Sequence, residues 1–77
     1  MRHLRSPRHR RLIEEMVRAR DATGLSQRQL AAKIKRSPSY ISKFEAGERK
    51  LDVLEFCEVC EALDVDASVL LRRVLGT

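Results

Sequence analysis

The chain has 77 residues and a net charge of +5, with 35% of its residues charged. This size fits one domain with one small core. Only 4% of the residues are aromatic, so the core is expected to be mainly aliphatic. No apolar run approaches the roughly 18 residues that a membrane span needs, and the basic N-terminus lacks the apolar segment of a signal peptide. We therefore expect a cytoplasmic protein whose thiols stay reduced.

Charge is distributed unevenly along the chain. Residues 1–50 hold 14 Lys and Arg against 5 Asp and Glu, whereas residues 51–77 hold 2 against 6. This division predicts one cationic face, which is typical of proteins that bind an anionic polymer. Nucleic acid is a better candidate than a membrane, because the basic segments lack a wide apolar face. The alternative is a pattern that serves only solubility. Residues 1–5 are expected to form a disordered basic arm, and residues 6–77 a single domain.

The periodicity of apolar residues predicts five helices and no strand, so the fold class is all-α. The first helix is expected to begin near Ser6, a polar N-cap that is followed by Pro7 at the first helical position. It runs to about Ala22, and Gly24 is suited to end it in a left-handed conformation. Its apolar stripe consists of Leu12, Ile13, Met16, Val17 and Ala19.

Two short helices are expected next, in quick succession. The second covers residues 27–34, where Ser26 and Gln29 form a capping box. Leu30 and Ile34, four residues apart, supply its buried face.

The third helix begins at Pro38, after Ser37, and runs to about Ala46 before Gly47. Its apolar residues are Tyr40, Ile41 and Phe44. Two helices of about two turns persist only when they pack on each other and on the rest of the domain. Ala31 supplies the small residue that a close crossing requires. The third helix then keeps a polar face for external contacts, which is the geometry of a helix-turn-helix.

The last two helices are expected in the acidic part of the chain. The fourth starts at Asp52, with Glu55 as its capping-box partner, and its apolar stripe is Val53, Phe56, Val59, Cys60 and Leu63. The fifth follows Asp66 as its N-cap and ends at Gly76. Its apolar residues are Val69, Leu70, Leu71 and Val74.

Three segments carry a resemblance to a known family: LSQRQLA at residues 25–31, SYISKFEAG at residues 39–47 and EALDVD at residues 61–66. Together they resemble the XRE family, the Cro and lambda-repressor-like regulators, and the match extends from about Leu12 to Leu71. The resemblance implies a compact five-helix domain that binds operator DNA, usually as a homodimer, and regulates transcription. It also implies a location on the bacterial nucleoid. The third helix would then enter a major groove.

Two positions in the turn depart from the family pattern. Lys35 stands where the family usually has Gly, and a left-handed Lys costs about 1 kcal/mol, so the turn is expected to be distorted. Arg36 stands where the family usually has a buried aliphatic residue. Its stem can cover the core while its head reaches solvent. Both changes add positive charge beside the expected groove.

The resemblance implies two sets of DNA contacts. The residues expected to read bases are Pro38, Ser39, Ser42 and Lys43; Lys43 can donate to guanine, and Pro38 can make only apolar contacts. The residues expected to contact phosphates, which fix register without reading sequence, are Gln27, Arg28, Lys35, Arg36, Tyr40, Arg49 and Lys50. For Tyr40, a hydroxyl bond to phosphate and simple packing of the ring are equal alternatives.

Two further relationships are implied by the family. Arg20 and Glu45 are expected to form an ion pair that orients the third helix; the alternative is two separate surface charges. A homodimer interface is expected in the C-terminal region, because its helices carry more apolar residues than one small core needs. The interface residues are expected to be Leu51, Leu54, Cys57, Leu70 and Leu71, unless these residues complete the core instead.

The Cys-x-x-Cys spacing at Cys57 and Cys60 can suggest metal or redox chemistry. Zinc prefers four ligands, and His3 and His9 have no suitable spacing, so we expect no metal site. Cys60 is expected to pack as a small apolar residue. The sequence shows no nucleophile with a histidine base and no glycine-rich phosphate loop. We therefore expect neither enzymatic activity nor a cofactor.

These observations predict a sequence-specific transcriptional regulator, a repressor or autoregulator that acts as a homodimer on a near-palindromic operator. The alternative is a protein-interaction module, such as an antitoxin or an antiactivator, that uses its apolar C-terminal surface to bind a partner protein.

Overall fold

The computed structural model describes residues 6–76, and over this range the chain forms five helices and no strand. In chain order these are α1 (Pro7–Thr23), α2 (Gln27–Lys33), α3 (Pro38–Glu45), α4 (Val53–Leu63) and α5 (Ala67–Leu75). The predicted all-α fold is confirmed, and the predicted helix ends agree to within one residue. The predicted arm at residues 1–5 lies outside the described residues. None of the described helices is long and apolar enough to cross a membrane.

Side-chain caps explain where most of the helices begin. A capping side chain satisfies a backbone N–H of the first turn that has no partner within the helix. Ser26 and Asp52 form complete capping boxes, with the N-cap oxygen accepting from the backbone of Gln29 at 3.0 Å and of Glu55 at 2.7 Å. Ser37 is the exception, because it makes no capping bond. Its hydroxyl lies 3.2 Å from the hydroxyl of Ser39 instead.

The turn between α2 and α3 keeps the left-handed residue that such turns need. Lys35 adopts a φ of 59°, its N–H donates to Ala32 at 3.1 Å, and the N–H of Arg36 donates to Ala31 at 2.9 Å. These two bonds close the end of α2 in the way that glycine usually allows. The expectation of a distorted turn is therefore wrong. The chain accepts the strain of a left-handed Lys and retains the geometry.

All five helices contribute to one core. Ala31 on α2 is fully buried, and α2 packs against α3. The three aromatic residues are all buried among the aliphatic ones. The buried apolar residues are Met16, Leu30, Ala31, Tyr40, Ile41, Phe44, Phe56, Val59, Cys60, Leu63, Leu70 and Val74.

Three residues of the apolar stripes predicted for α4 and α5 are exposed instead, and one of them is Leu71, which is 42% exposed. Val53 is 76% exposed, because it is the first residue of α4 and lies beyond the edge of the core. Val69 is 37% exposed, because it lies on the flank of α5 that lines an open groove against α1.

A buried carboxylate lies between α1 and α5. Glu15 is 8% exposed and has Arg18 at 3.2 Å and Arg73 at 3.8 Å as its cationic partners. Arg11 also donates to the backbone carbonyl of Arg73 at 3.2 Å. The contacts of Arg73 with Glu15 and Arg11 join α5 to α1.

Candidate nucleic-acid interface

The outward face of α3 is open to solvent. Tyr40, Ile41 and Phe44 bury the inner face, whereas Pro38, Ser39 and Lys43 are exposed and Ser42 is half-buried. The Ser42 hydroxyl donates to the backbone carbonyl of Ser39 at 3.2 Å, so its oxygen remains available as an acceptor. All four residues predicted to read bases thus lie on α3, and three of them are exposed. This is the arrangement that a groove-binding helix requires.

A bidentate ion pair holds the end of α3 against α1. Arg20 donates from Nε to Glu45 Oε2 at 2.8 Å and from Nη2 to Glu45 Oε1 at 2.9 Å. Its remaining terminal nitrogen donates to the carbonyl of Leu25 at 2.9 Å. The two side chains are only 14% and 9% exposed. The hydrogen bonds that Arg20 donates to Glu45 raise the pKa of Arg20 above its ordinary value.

Gln27 joins the same junction. Its amide nitrogen donates to Glu45 Oε1 at 2.7 Å, which links the first residue of α2 to the last residue of α3. The side chain is half-buried. The bond to Glu45 holds Gln27 in a fixed position. Its second amide hydrogen remains able to donate, as the predicted phosphate contact requires.

The basic residues predicted to contact phosphates fall into two groups. Arg28, Lys35 and Lys50 are exposed and have no bonded carboxylate among the described residues. Arg36 and Arg49 instead pair with carboxylates on α4. Arg36 donates to Glu58 at 3.2 Å and Arg49 to Glu55 at 2.8 Å, and the bond to Glu58 raises the pKa of Arg36. The sequence analysis did not identify these acidic partners, because they are not near neighbours of the two arginines along the chain.

Tyr40 is buried by the same two arginines. Its residue is 7% exposed, and the guanidinium carbons of Arg36 and Arg49 lie 4.9 and 4.5 Å from the ring centroid. Its hydroxyl oxygen is buried without a hydrogen bond of ordinary geometry, and burial raises its pKa. Of the two alternatives, ring packing is the one that the structure shows. The hydroxyl is not at the surface, where it would meet a phosphate.

The predicted dimer residues divide between the surface and the core. Leu54 is 75% and Leu71 is 42% exposed, whereas Leu51 and Cys57 are half-buried. Leu70 is 5% exposed, because it lies on the face of α5 that packs into the core, so it cannot contribute to a surface patch. The structure adds three exposed apolar residues that the sequence analysis did not assign to the interface, Val53, Val69 and Leu75.

The two cysteines are unlinked and differ in burial. Cys57 is half-buried, whereas Cys60 is 1% exposed and packs in the core. Burial raises the pKa of Cys60 to about 11, which makes it a poor nucleophile or metal ligand at neutral pH. Across residues 6–76, no group of three or more His, Cys, Asp or Glu side chains is placed to hold a metal ion.

Comparison with known proteins agrees with this geometry. A sequence model of the family described as Helix-turn-helix matches residues 17–70, which include all of α2, α3 and α4. The solved structure of an XRE-family like protein from Pseudomonas syringae pv. tomato str. DC3000 is similar, with a TM-score of 0.85 and 38% identity over 90% of this chain and 84% of that chain.

A second solved structure is that of the clp gene regulator ClgR from C. glutamicum. It has a TM-score of 0.77 and 27% identity, and the match covers 86% of each chain. The comparison with curated proteins gives no match.

Proposed function

The chain belongs to the XRE-type helix-turn-helix family and is a DNA-binding transcriptional regulator, and from this premise we propose that it is a repressor or autoregulator that binds a near-palindromic operator as a homodimer. The observation that carries the proposal is the open polar face of α3. Pro38, Ser39 and Lys43 project from a helix whose end is fixed by Arg20 and Glu45. A fixed helix with exposed donors can read base edges with little loss of conformational entropy.

Affinity in this proposal comes mainly from phosphate contacts. Arg28, Lys35 and Lys50 are exposed. The first two precede α3 in the sequence and the third follows it, and Gln27 is held at the start of α2. If each subunit neutralises about four to six phosphates, the affinity falls steeply as salt rises. The acidic residues of α4, which are Glu55, Glu58 and Glu61, make the surface of that helix unfavourable for DNA.

Dimerisation in this proposal uses the exposed apolar residues of the C-terminal half. On α4, Val53, Leu54 and Cys57 lie on neighbouring positions of one flank, and the first two are about three-quarters exposed. Leu71 and Leu75, one turn apart on α5, are 42% and 48% exposed. Two subunits that share a two-fold axis would place their α3 helices about 34 Å apart, in successive major grooves.

Selection of bound duplexes from a random DNA pool tests the proposal. We expect an enriched motif with two inverted half-sites whose centres are about 10 bp apart. A promoter whose start site overlaps this motif should be transcribed less in vitro when the protein is added. A single unrepeated half-site would contradict the homodimer, and increased transcription would contradict the repressor role. If no motif is enriched, base reading by α3 is wrong.

Light scattering tests the dimer separately. The protein should have the mass of a dimer at high concentration, and Leu54→Glu should convert it to a monomer that keeps its helix content. The matched control is Glu61→Gln, an exposed position on the same helix that should leave the mass unchanged. A wild-type protein that stays monomeric at all concentrations without DNA would contradict this interface.

A further inference from the structure

A cluster of five side chains lies on the flank of α3 that faces α4. We call it the arginine–carboxylate cluster; its members are Arg36, Tyr40, Arg49, Glu55 and Glu58. Arg36 precedes α3 and Arg49 follows it, yet both guanidinium groups lie over the ring of Tyr40. Tyr40 and Lys43 are three residues apart and thus neighbours on the helix surface. The two arginines are therefore held beside the face proposed to read bases.

Both arginines form ion pairs with carboxylates of α4. Arg49 Nη2 donates to Glu55 Oε2 at 2.8 Å, and Arg36 Nη2 donates to Glu58 Oε1 at 3.2 Å. Arg36 Nη1 also lies 4.0 Å from Glu55 Oε2. A carboxylate and a phosphate bind the same N–H groups of a guanidinium in similar geometry. These contacts therefore use donors that a DNA phosphate would need.

The two carboxylates differ in how firmly they are held. Glu55 is 16% exposed, and it also accepts from the backbone N–H of Asp52 at 2.9 Å as part of the capping box. That backbone bond is the main cause of its lowered pKa. Glu58 is 48% exposed, and within residues 6–76 its carboxylate is bonded to Arg36 alone. Glu58 can therefore release its arginine without disturbing the start of α4.

We propose that Glu58 is an internal competitor of DNA phosphate: it neutralises Arg36 in the free domain and releases it when α3 enters the groove. Glu55 keeps Arg49 in position throughout. The inference rests on the DNA-binding function proposed above and identifies a residue that lowers its affinity.

Fluorescence anisotropy on a random-sequence duplex tests the inference in the full chain. Glu58→Gln keeps the size of the side chain, removes its charge and should tighten binding about two- to fivefold, the range expected when one exposed ion pair no longer competes. Glu61→Gln is the matched control, because it makes the same charge change on α4 at an exposed residue that has no bonded arginine among the described residues. It should tighten binding less than twofold, since only screened long-range charge is altered.

The effect must also depend on Arg36. In an Arg36→Ala background, Glu58→Gln should change the affinity no more than Glu61→Gln does. Equal gains from Glu58→Gln and Glu61→Gln, or a gain that persists without Arg36, would overturn the competition while leaving the DNA-binding function intact. If the wild-type protein binds neither random nor selected duplex, the proposed function fails and the inference fails with it.

Discussion

Arg20 and Glu45 are joined by two parallel hydrogen bonds of 2.8 and 2.9 Å, which connect α1 to the last residue of α3. The same carboxylate accepts from Gln27 at 2.7 Å, and the same guanidinium donates to the carbonyl of Leu25 at 2.9 Å. One ion pair therefore fixes α1, the start of α2 and the end of α3 relative to one another. The orientation of the outward face of α3 follows from this junction.

Glu45→Gln should destabilise the domain by about 2 kcal/mol, because it leaves the largely buried Arg20 without its charged partner. Chemical denaturation with urea measures this change. Glu48→Gln, at an exposed carboxylate only three residues further along the chain, should cost less than about 0.5 kcal/mol. A cost for Glu45→Gln no greater than that of the control would show that the pair contributes nothing to holding α3.

The two serine N-caps provide a matched comparison. Ser26→Ala removes a complete capping box and should lower the free energy of unfolding by about 1 kcal/mol. Ser37→Ala should cost less than about 0.5 kcal/mol, because the Ser37 hydroxyl caps no backbone N–H. Thermal or urea unfolding of the two variants measures both losses in free energy of unfolding. Equal losses would mean that Ser37 caps α3 in solution.

Lys35→Gly should stabilise the domain by about 1 kcal/mol, since Lys35 holds a φ of 59° that glycine adopts without steric strain. Ala32→Gly is the control, because Ala32 lies inside α2 with ordinary helical geometry and should lose about 1 kcal/mol. Both are compared by urea denaturation. A loss of stability for Lys35→Gly would show that the Lys side chain offsets its backbone strain.

The two thiols should differ sharply in reactivity. Cys60 is 1% exposed and its pKa is raised to about 11, whereas Cys57 is half-buried. Near neutral pH, a thiol-specific chromogenic reagent should react with Cys57 in the native protein and with Cys60 only at the rate of unfolding. Cys57→Ser should abolish the fast phase, and Cys60→Ser should leave it unchanged. Two equally fast thiols would contradict the placement of Cys60 in the core.

The helix boundaries could be predicted because their signals are local. Ser26 with Gln29, and Asp52 with Glu55, mark starts that need only three residues of context. The relation between Arg36 and Glu58 could not be predicted, because 22 residues of chain separate them and only the packing of α2 against α4 brings them together.

Burial at the ends of elements was equally hard to predict. Val53 fits the apolar period of α4, but it is 76% exposed, because a period gives the direction of a side chain and not the extent of the core. Leu70 and Leu71 are adjacent and equally apolar, yet one is buried and the other is exposed. Only the docking of α5 on α1 and α4 decides between them.

The outward face of α3 is proposed to read bases, and the substitution Lys43→Ala tests this role. Binding of this variant and of Lys50→Ala is measured on the duplex obtained by selection and on a random duplex at the same salt. We predict that Lys43→Ala weakens binding to the selected duplex about tenfold and binding to the random duplex much less. Lys50→Ala should weaken both equally, as a phosphate contact does. An equal loss on both duplexes for Lys43→Ala would show that Lys43 contacts only phosphate and would contradict base reading by α3.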